Sequence, residues 1–257
     1  MAIILTIFFI GLQYEDIKSE DLNLNYKLVN TNINQDIKYI RENLIKNSND
    51  LINEIKIAIK EKKELIVLPE SAFAFDLQNS FDGYYENLLK ELSNKITIIT
   101  GAFSSKEDKI FNSTYIFKNE NVYILNKYYL VPFGEEIPFL KDVILKYFLK
   151  NIEEFSKDKK LNIYKLNNQT ITNAICYEAT KENLYKNKNI IIAISNNAWF
   201  KNSSQYLLQN LLIKFYASKY GVNVYHSTNS KQTKLIKPKE SLIKKYKLKL
   251  KALIKGF

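Results

Sequence analysis

The sequence contains little cysteine, histidine, glycine and proline. One cysteine, Cys176, allows no internal disulfide and no zinc site built from several thiolates, and one histidine, His226, leaves no second imidazole for a typical metal cluster. Six glycines and four prolines leave little room for long flexible linkers, while 46% hydrophobic residues in a chain of 257 can bury a sizeable core. We therefore predict one globular domain with neither a metal nor a cofactor.

The excess of positive charge lies at one end of the chain. Residues 231–257 contain ten lysines and one glutamate, so +9 of the net +11 belongs to this segment and the rest of the chain is close to neutral. A nearly neutral body lacks the basic surface with which proteins bind nucleic acid. We expect no nucleic-acid partner.

The Lys-rich segment allows two interpretations. Apolar residues at steps of three and four between the lysines are typical of a basic amphipathic helix on an anionic membrane surface. Leu248 interrupts this stripe and Ser241 is the one available cap residue, which favours an unfolded, solvated end instead. The apolar stripe consists of Leu242, Ile243, Tyr246, Leu250, Leu253 and Ile254.

The first twelve residues are strongly apolar. A membrane span needs about 20 such residues, and a signal peptide needs a basic start and small residues at a cleavage site, which this stretch lacks. It can be a short membrane anchor, the end of a longer span or a buried strand. We assign residues 1–24 to this stub and a polar connector.

Strand and helix patterns alternate along the rest of the chain, which predicts an α/β fold. Strands are predicted at 26–31, 65–68, 96–102, 113–117, 122–125, 162–165, 171–175, 190–195 and 222–227, with 113–117 and 122–125 as a hairpin-like pair. Helices are predicted at 34–63, 84–94, 141–150, 181–185 and 203–220.

Three polar side chains follow directly after predicted buried strands. Glu70, Lys127 and Cys176 come after the strands at 65–68, 122–125 and 171–175. Catalytic groups gather in the crevice at the strand ends of α/β sheets, so we expect the three side chains to meet there. Each also has an ordinary explanation: a solvated carboxylate, a surface lysine and a buried thiol that acts as a small hydrophobe.

A carboxylate, an amine and a thiol together suit acyl transfer through a thioester. The carboxylate removes the thiol proton, the thiolate attacks a carbonyl, and a fixed cation with backbone amides stabilises the oxyanion. This chemistry assigns Glu70 as general base, Lys127 as stabilising cation and Cys176 as nucleophile.

Four motifs, in this order, resemble the nitrilase superfamily. Residues 130–135, the glutamate at 178 and residues 198–200 are most similar to its apolipoprotein N-acyltransferase branch. The resemblance covers about residues 27–230. The motifs are Leu68-Pro69-Glu70-Ser71-Ala72, then Asn126-Lys127 running into Leu130-Val131-Pro132-Phe133-Gly134-Glu135, then Ile175-Cys176-Tyr177-Glu178, and last Ser195-Asn196-Asn197-Ala198-Trp199-Phe200.

The resemblance implies a nitrilase-like four-layer αββα sandwich in which the three side chains have the roles given above. It places Glu135 in the position of the family's essential second carboxylate and implies that Tyr177 and Glu178 shape the site beside the thiol. Trp199 and Phe133 are candidates for an acyl pocket, although packing explains such aromatics equally well. His226, at a predicted strand end, is interpreted as structural.

The chain also departs from the family pattern. Asn197 stands where the family usually has Asp, and Lys201 where it usually has Gly, so we expect a different loop after Trp199. The family has several membrane spans before this domain and one after it, and further strands where this chain becomes Lys-rich. We expect a catalytic domain at 25–230, a tail at 231–257 and truncation at both ends.

The resemblance implies an enzyme that takes a fatty acyl group from a phospholipid and passes it to the N-terminal amine of an apolipoprotein. Its partners are then the phospholipid donor, the apolipoprotein acceptor and a membrane surface, on the periplasmic face of a bacterial inner membrane. Two alternatives remain: a soluble carbon-nitrogen hydrolase in which water resolves the thioester, and an inactive truncated remnant.

Overall fold

The structure is a computed structural model that describes residues 19–137, 154–187, 189–200 and 203–238. The first apolar stretch, the predicted helix at 141–150, Lys201 and the amphipathic pattern after residue 240 lie outside the described residues. The helices are α1 (Arg41–Lys60), α2 (Tyr84–Leu92) and α3 (Gln205–Tyr220). The strands are β1 (Tyr26–Leu28), β2 (Asn30–Thr31), β3 (Leu65–Val67), β4 (Phe73–Asp76), β5 (Thr97–Lys106), β6 (Lys109–Lys118), β7 (Asn121–Asn126), β8 (Ile163–Leu166), β9 (Gln169–Ile175), β10 (Ile190–Asn196), β11 (Val224–Asn229) and β12 (Lys234–Ile236).

The strands form two six-stranded sheets. The first has the order β1-β3-β5-β6-β7, with β4 beside β5, and its parallel strands β1, β3 and β5 are followed by the antiparallel β6 and β7. The second has the order β12-β11-β10-β9-β8, with β2 beside β11. Its centre is parallel and its outer strands β8 and β12 are antiparallel to their neighbours.

The two sheets pack face to face, with helices on both outer sides. In β3, Leu65 and Val67 lie in the core between the sheets, whereas Ile66 belongs to the core beneath α1 and α2, because successive side chains of a strand point to opposite faces. On the far side, Ile213 and Ala217 of α3 pack against the outer face of the second sheet. This is the predicted αββα sandwich, and the fold class is confirmed.

Residues 26–31, predicted as one strand, are divided between the two sheets. β1 pairs with β3 in the first sheet, and β2 pairs with β11 in the second. Val29 stands between them and donates its N–H to Val67 O at 2.9 Å. The apolar pattern marks extended backbone, but it does not show which sheet each residue joins.

Other differences lie at element ends and short strands. The first helix begins at Arg41 rather than at 34, because residues 35–40 form turns, and the predicted helix at 181–185 is a single 3-10 turn, Glu182–Leu184. The strands β4 and β12 were not predicted. β12 carries Lys234 and lies at a sheet edge, where lysine is common, so its Lys-rich sequence resembles a tail. The second sheet thus continues beyond residue 230.

Among the helices of the described residues, none combines the length and the apolarity that crossing a bilayer requires.

Candidate active site

The structure brings Glu70, Lys127 and Cys176 together at the strand ends. Lys127 Nζ lies 3.8 Å from Glu70 Oε1. The backbone N–H of Asn196, at the end of β10, donates to Glu70 Oε2 at 2.7 Å and lies near enough to the Cys176 thiol to lower its pKa. The cluster therefore lies where strands of both sheets end.

Both carboxylate oxygens of Glu70 are held. Oε1 accepts a hydrogen bond from Asn112 Nδ2 at 2.8 Å, and Oε2 accepts the one from Asn196 N. The side chain is buried, and its donors come from different sheets, Asn112 from β6 and Asn196 from β10. Glu70 is consequently fixed in position before any substrate binds.

Lys127 is fully buried between two carboxylates. Its Nζ lies 2.8 Å from Glu135 Oε1, and Glu135 also accepts hydrogen bonds from Asn112 Nδ2 at 3.2 Å and Val131 N at 2.9 Å. Burial alone would lower the pKa of Lys127, but Glu70 and Glu135 outweigh it and raise this pKa above its ordinary value. The side chain is therefore an ammonium ion that cannot serve as a base near neutral pH.

The Cys176 thiol is protonated at neutral pH. Its pKa is raised to about 12, mainly by burial and also by Glu70 and Glu135, while Lys127 and the Asn196 N–H act in the opposite direction. The residue joins β9 to the 3-10 helix Cys176–Thr180 with a φ of 51°, in the left-handed region that residues other than glycine seldom adopt. Such a thiol needs a base to become a nucleophile.

Glu178 joins the segment of Lys127 to that of Cys176. Its Oε1 accepts hydrogen bonds from Tyr128 N at 2.8 Å and Tyr129 N at 3.1 Å, and its Oε2 accepts one from Ile175 N at 2.8 Å. Burial raises the pKa of Glu178 in spite of these bonds. Its carboxylate thus holds the residues directly after Lys127 and directly before Cys176.

The remaining predicted residues lie nearer the surface. Lys181 Nζ donates to Tyr177 Oη at 2.5 Å and stands 4.0 Å from the centre of that ring. Trp199 is 61% exposed and Phe133 42%. The Trp199 ring lies 6.5 Å from that of Tyr39, so it belongs to an aromatic surface rather than to the buried cluster.

Several polar residues of the site were not found from the sequence. Asn112 and Asn196 had no predicted role, although Asn196 lies within the fourth motif. Lys38 is buried, its Nζ has no hydrogen-bond partner among the described residues, and burial lowers its pKa to about 8 against the pull of Glu70. In a chain with so many lysines, nothing in the sequence marks this one.

The single histidine is also buried. His226 Nε2 lies 2.8 Å from Ser195 Oγ, and burial lowers its pKa to about 4. In the part of the chain that the structure describes, no three His, Cys, Asp or Glu side chains are grouped so that they could hold a metal ion.

Solved structures share this architecture. A CN-hydrolase superfamily protein from Xanthomonas campestris with an arsenic adduct in its active site aligns with a TM-score of 0.61 at 11% identity, covering 92% of this chain and 98% of that one. Saccharomyces cerevisiae Nit3, a member of branch 10 of the nitrilase superfamily, aligns with a TM-score of 0.59 at 18% identity, covering 80% and 76%. No protein-family model matches the chain.

Sequence relatives carry a common name. An apolipoprotein N-acyltransferase of Campylobacter jejuni is 64% identical over 247 residues, which are 96% of this chain and 55% of the relative. One from Helicobacter hepaticus is 34% identical over 244 residues, covering 92% and 61%. Over most of its length the chain is similar to these apolipoprotein N-acyltransferases. This confirms the resemblance seen in the four motifs. The chain spans about half the length of the curated relatives it matches.

Proposed function

We propose that this domain transfers a fatty acyl group from a phospholipid, through a thioester on Cys176, to the N-terminal amine of an apolipoprotein. The proposal rests above all on the cluster in which the Cys176 thiol lies within electrostatic reach of the Glu70 carboxylate and the Lys127 ammonium, which are themselves 3.8 Å apart. The relatives named apolipoprotein N-acyltransferase support the choice of substrates.

In the first half-reaction, Glu70 takes the proton of the Cys176 thiol as the sulfur bonds to the ester carbonyl carbon of the phospholipid. The carbonyl oxygen becomes an oxyanion, which the Lys127 ammonium stabilises. The oxyanion then collapses, the ester C–O bond breaks, and Glu70 returns its proton to the departing alcohol. The enzyme now holds a thioester and releases a lysophospholipid.

In the second half-reaction, the amine of the apolipoprotein attacks the thioester carbonyl. Glu70 takes a proton from the attacking nitrogen, Lys127 stabilises the second oxyanion, and the C–S bond breaks as the amide forms. The proton on Glu70 then restores the thiol. No oxidant, reductant or further reactant is needed, since each proton taken by Glu70 is given back.

The neighbouring residues keep these groups in place. Glu135 holds the Lys127 ammonium at 2.8 Å, so the cation stays in the buried site when Glu70 becomes neutral. Glu178 fixes the chain on both sides of the reacting groups, and Tyr177 borders the thiol in sequence. Glu135, Glu178 and Tyr177 are thus positioning residues in this proposal.

A membrane surface is the proposed source of the phospholipid. The outer face of α3 is apolar and exposed, opposite the buried face that packs on the second sheet. Contiguous apolar surface of this kind is typical of membrane or partner contact. Together with the exposed Trp199 and Phe133, which we propose contact acyl chains, it supports action at the periplasmic face of the inner membrane. The residues of this face are Leu207, Leu208, Leu211, Leu212 and Phe215.

A soluble carbon-nitrogen hydrolase is the second candidate. The same three residues would form the thioester, and water would take the place of the lipoprotein amine. The CN-hydrolase fold of the structural neighbours favours this candidate. The two functions differ in which acceptor removes the acyl group from Cys176.

Mass spectrometry of the intact protein tests both. After incubation with phospholipid vesicles, we expect one acyl adduct that Cys176→Ala abolishes and that Glu70→Gln and Lys127→Met slow at least a hundredfold. Glu86→Gln, a buried carboxylate in α2, is the matched control and should acylate normally. An adduct that survives in Cys176→Ala contradicts the proposal.

The acceptor is tested in a second incubation. Adding a lipopeptide with a free N-terminal amine should remove the adduct and yield acylated lipopeptide. Release of free fatty acid at the same rate with or without the lipopeptide would favour the hydrolase. If the folded chain forms no adduct with vesicles, activated acyl esters or simple amides, the chain is an inactive remnant.

A further inference from the structure

Gln209 occupies a position where an apolar residue is expected. The buried residues of α3 are Gln209, Ile213 and Ala217, at steps of four, and they form the face that packs on the second sheet. A buried amide is unfavourable unless its polar atoms are hydrogen-bonded. The position of this side chain therefore depends on what its amide contacts.

The amide nitrogen contacts the thiol. Gln209 Nε2 donates to Cys176 Sγ at 3.6 Å and to Ser195 Oγ at 3.4 Å, whereas Gln209 Oε1 has no hydrogen-bond partner among the described residues. Sulfur is a large acceptor, so a donor distance of 3.6 Å lies within hydrogen-bonding range. Only the donor end of this amide is engaged, and it faces the sulfur.

Two further residues hold the amide in place. Ser195 Oγ, at the end of β10, lies 2.8 Å from His226 Nε2 on β11. Both residues are completely buried, and burial together with Lys234 keeps the pKa of His226 at about 4, so the imidazole is neutral under ordinary conditions. The hydrogen-bonded row of His226, Ser195 and Gln209 thus carries no net charge.

The hydrogen-bonded row of His226, Ser195 and Gln209 is neutral, whereas the other groups that face the thiol are charged. Those are Glu70, Glu135 and Lys127, and the two carboxylates disfavour a thiolate. A neutral N–H donor favours the negative sulfur without adding a charge to a buried site that already holds three.

We propose that Gln209 is a catalytic residue that donates a hydrogen bond to the Cys176 sulfur and stabilises its thiolate, with Ser195 and His226 as its positioning residues. The inference rests on the proposed function in that Cys176 is the nucleophile. It assigns the sulfur a side-chain hydrogen-bond donor, and it gives the buried His226 a role.

The test measures alkylation of Cys176 by iodoacetamide between pH 7 and pH 10. Because this is the only cysteine, the mass of the peptide that contains it reports the thiol separately from the lysines. Gln209→Met keeps the length of the side chain and removes the donor, and should lower the alkylation rate about tenfold at each pH. Gln205→Met, at an exposed position of the same helix, is the matched control and should react like the unchanged protein.

The positioning residues are tested in a double-mutant cycle. Ser195→Ala should slow alkylation in the original chain and have little further effect when Gln209 is already Met. If Ser195 had a purely structural role, Ser195→Ala would leave the alkylation rate unchanged in both backgrounds, or would slow it by the same factor in both. If Gln209→Met does not fold, Gln209→Asn, which keeps the amide but is one methylene shorter, should show the same loss.

An unchanged rate in a folded Gln209→Met or Gln209→Asn protein would overturn the inference. Since alkylation needs no acyl donor, the two proposals can fail separately. Slower alkylation without any acyl adduct would reject the proposed function and retain the donor role. An acyl adduct that depends on Glu70, together with an unchanged alkylation rate in the Gln209 variants, would retain the proposed function and reject the donor role.

Discussion

Gly101 lies directly against the backbone of Glu70. A Cβ at position 101 would stand 2.6 Å from Glu70 Cα and 2.5 Å from Ser71 N, closer than real Cβ atoms approach. The Gly101 N–H donates to Pro69 O at 3.1 Å, so the two backbones touch where Glu70 leaves the first sheet. Only glycine allows this approach.

Gly101→Ala should therefore impair the site more than the fold. The added methyl group must displace the backbone of residues 69–71, and we expect a loss of stability of about 1–3 kcal/mol in urea denaturation and at least a tenfold slower acylation of Cys176. Gly83→Ala, in a turn with a φ of 69°, is the control for stability alone. If both variants acylate at the original rate, the contact at position 101 does not position Glu70.

Cys176 should be a slow thiol in the absence of substrate. With a pKa of about 12, roughly one sulfur in ten thousand is ionised at pH 8, far fewer than for an ordinary thiol. We expect iodoacetamide to modify Cys176 much more slowly than it modifies glutathione at pH 8, with a rate that still rises at pH 10. A rate that levels off below pH 9 would show that the thiolate is far more stable than the structure indicates.

The burial of Lys38 predicts a pH dependence of stability. Burial lowers its pKa from the ordinary 10.5 to about 8, so between these values the unfolded chain binds more protons than the native one. The free energy of unfolding should therefore rise with pH in this window, by about 2 kcal/mol between pH 7.5 and pH 9.5.

Lys38→Met removes this contribution and serves as the comparison in urea denaturation. Buried tyrosines with raised pKa values, such as Tyr115, lower the free energy of unfolding at higher pH. They are present in both proteins, so their effect cancels when the pH dependence of Lys38→Met is subtracted from that of the original chain. Equal pH slopes for the two proteins would show that Lys38 titrates in the folded chain as it does in water.

The outer face of α3 should bind lipid. Replacing Leu211 and Phe215 by serine removes two exposed apolar side chains, at 60% and 59% exposure, without touching the face that packs on the sheet. We expect clearly weaker cosedimentation with phospholipid vesicles and an unchanged thermal transition. Ile110→Ser, an equally exposed residue on the hairpin of β5 and β6, should bind like the original chain; equal binding by all three would exclude this face as the lipid contact.

The sequence was informative where chemistry follows a strand directly. Glu70, Lys127 and Cys176 could be placed together because each comes at the end of an apolar run, and strand ends converge. The fold class followed from the alternation of strands and helices and from the four motifs. Both conclusions depend on local patterns that are visible along the chain.

What could not be predicted depends on contacts between distant segments. The two donors to Glu70 lie 42 and 126 residues away from it, and the Gln209 amide lies 33 residues from the sulfur. No local pattern shows which asparagine or glutamine will face inward. Lys38 was hidden for a different reason, since lysine is abundant in this chain and its burial results from the packing of the turns before α1.

The division of residues 26–31 between the two sheets has a consequence for how the chain folds during synthesis. β1 finds its partner in β3 soon after it emerges from the ribosome, but β2 must wait for β11, nearly 200 residues later. Contacts of such long sequence separation form late. The second sheet therefore closes on a strand that was synthesised nearly 200 residues before its partner, so the two halves of the sandwich complete their folding together rather than as independent units.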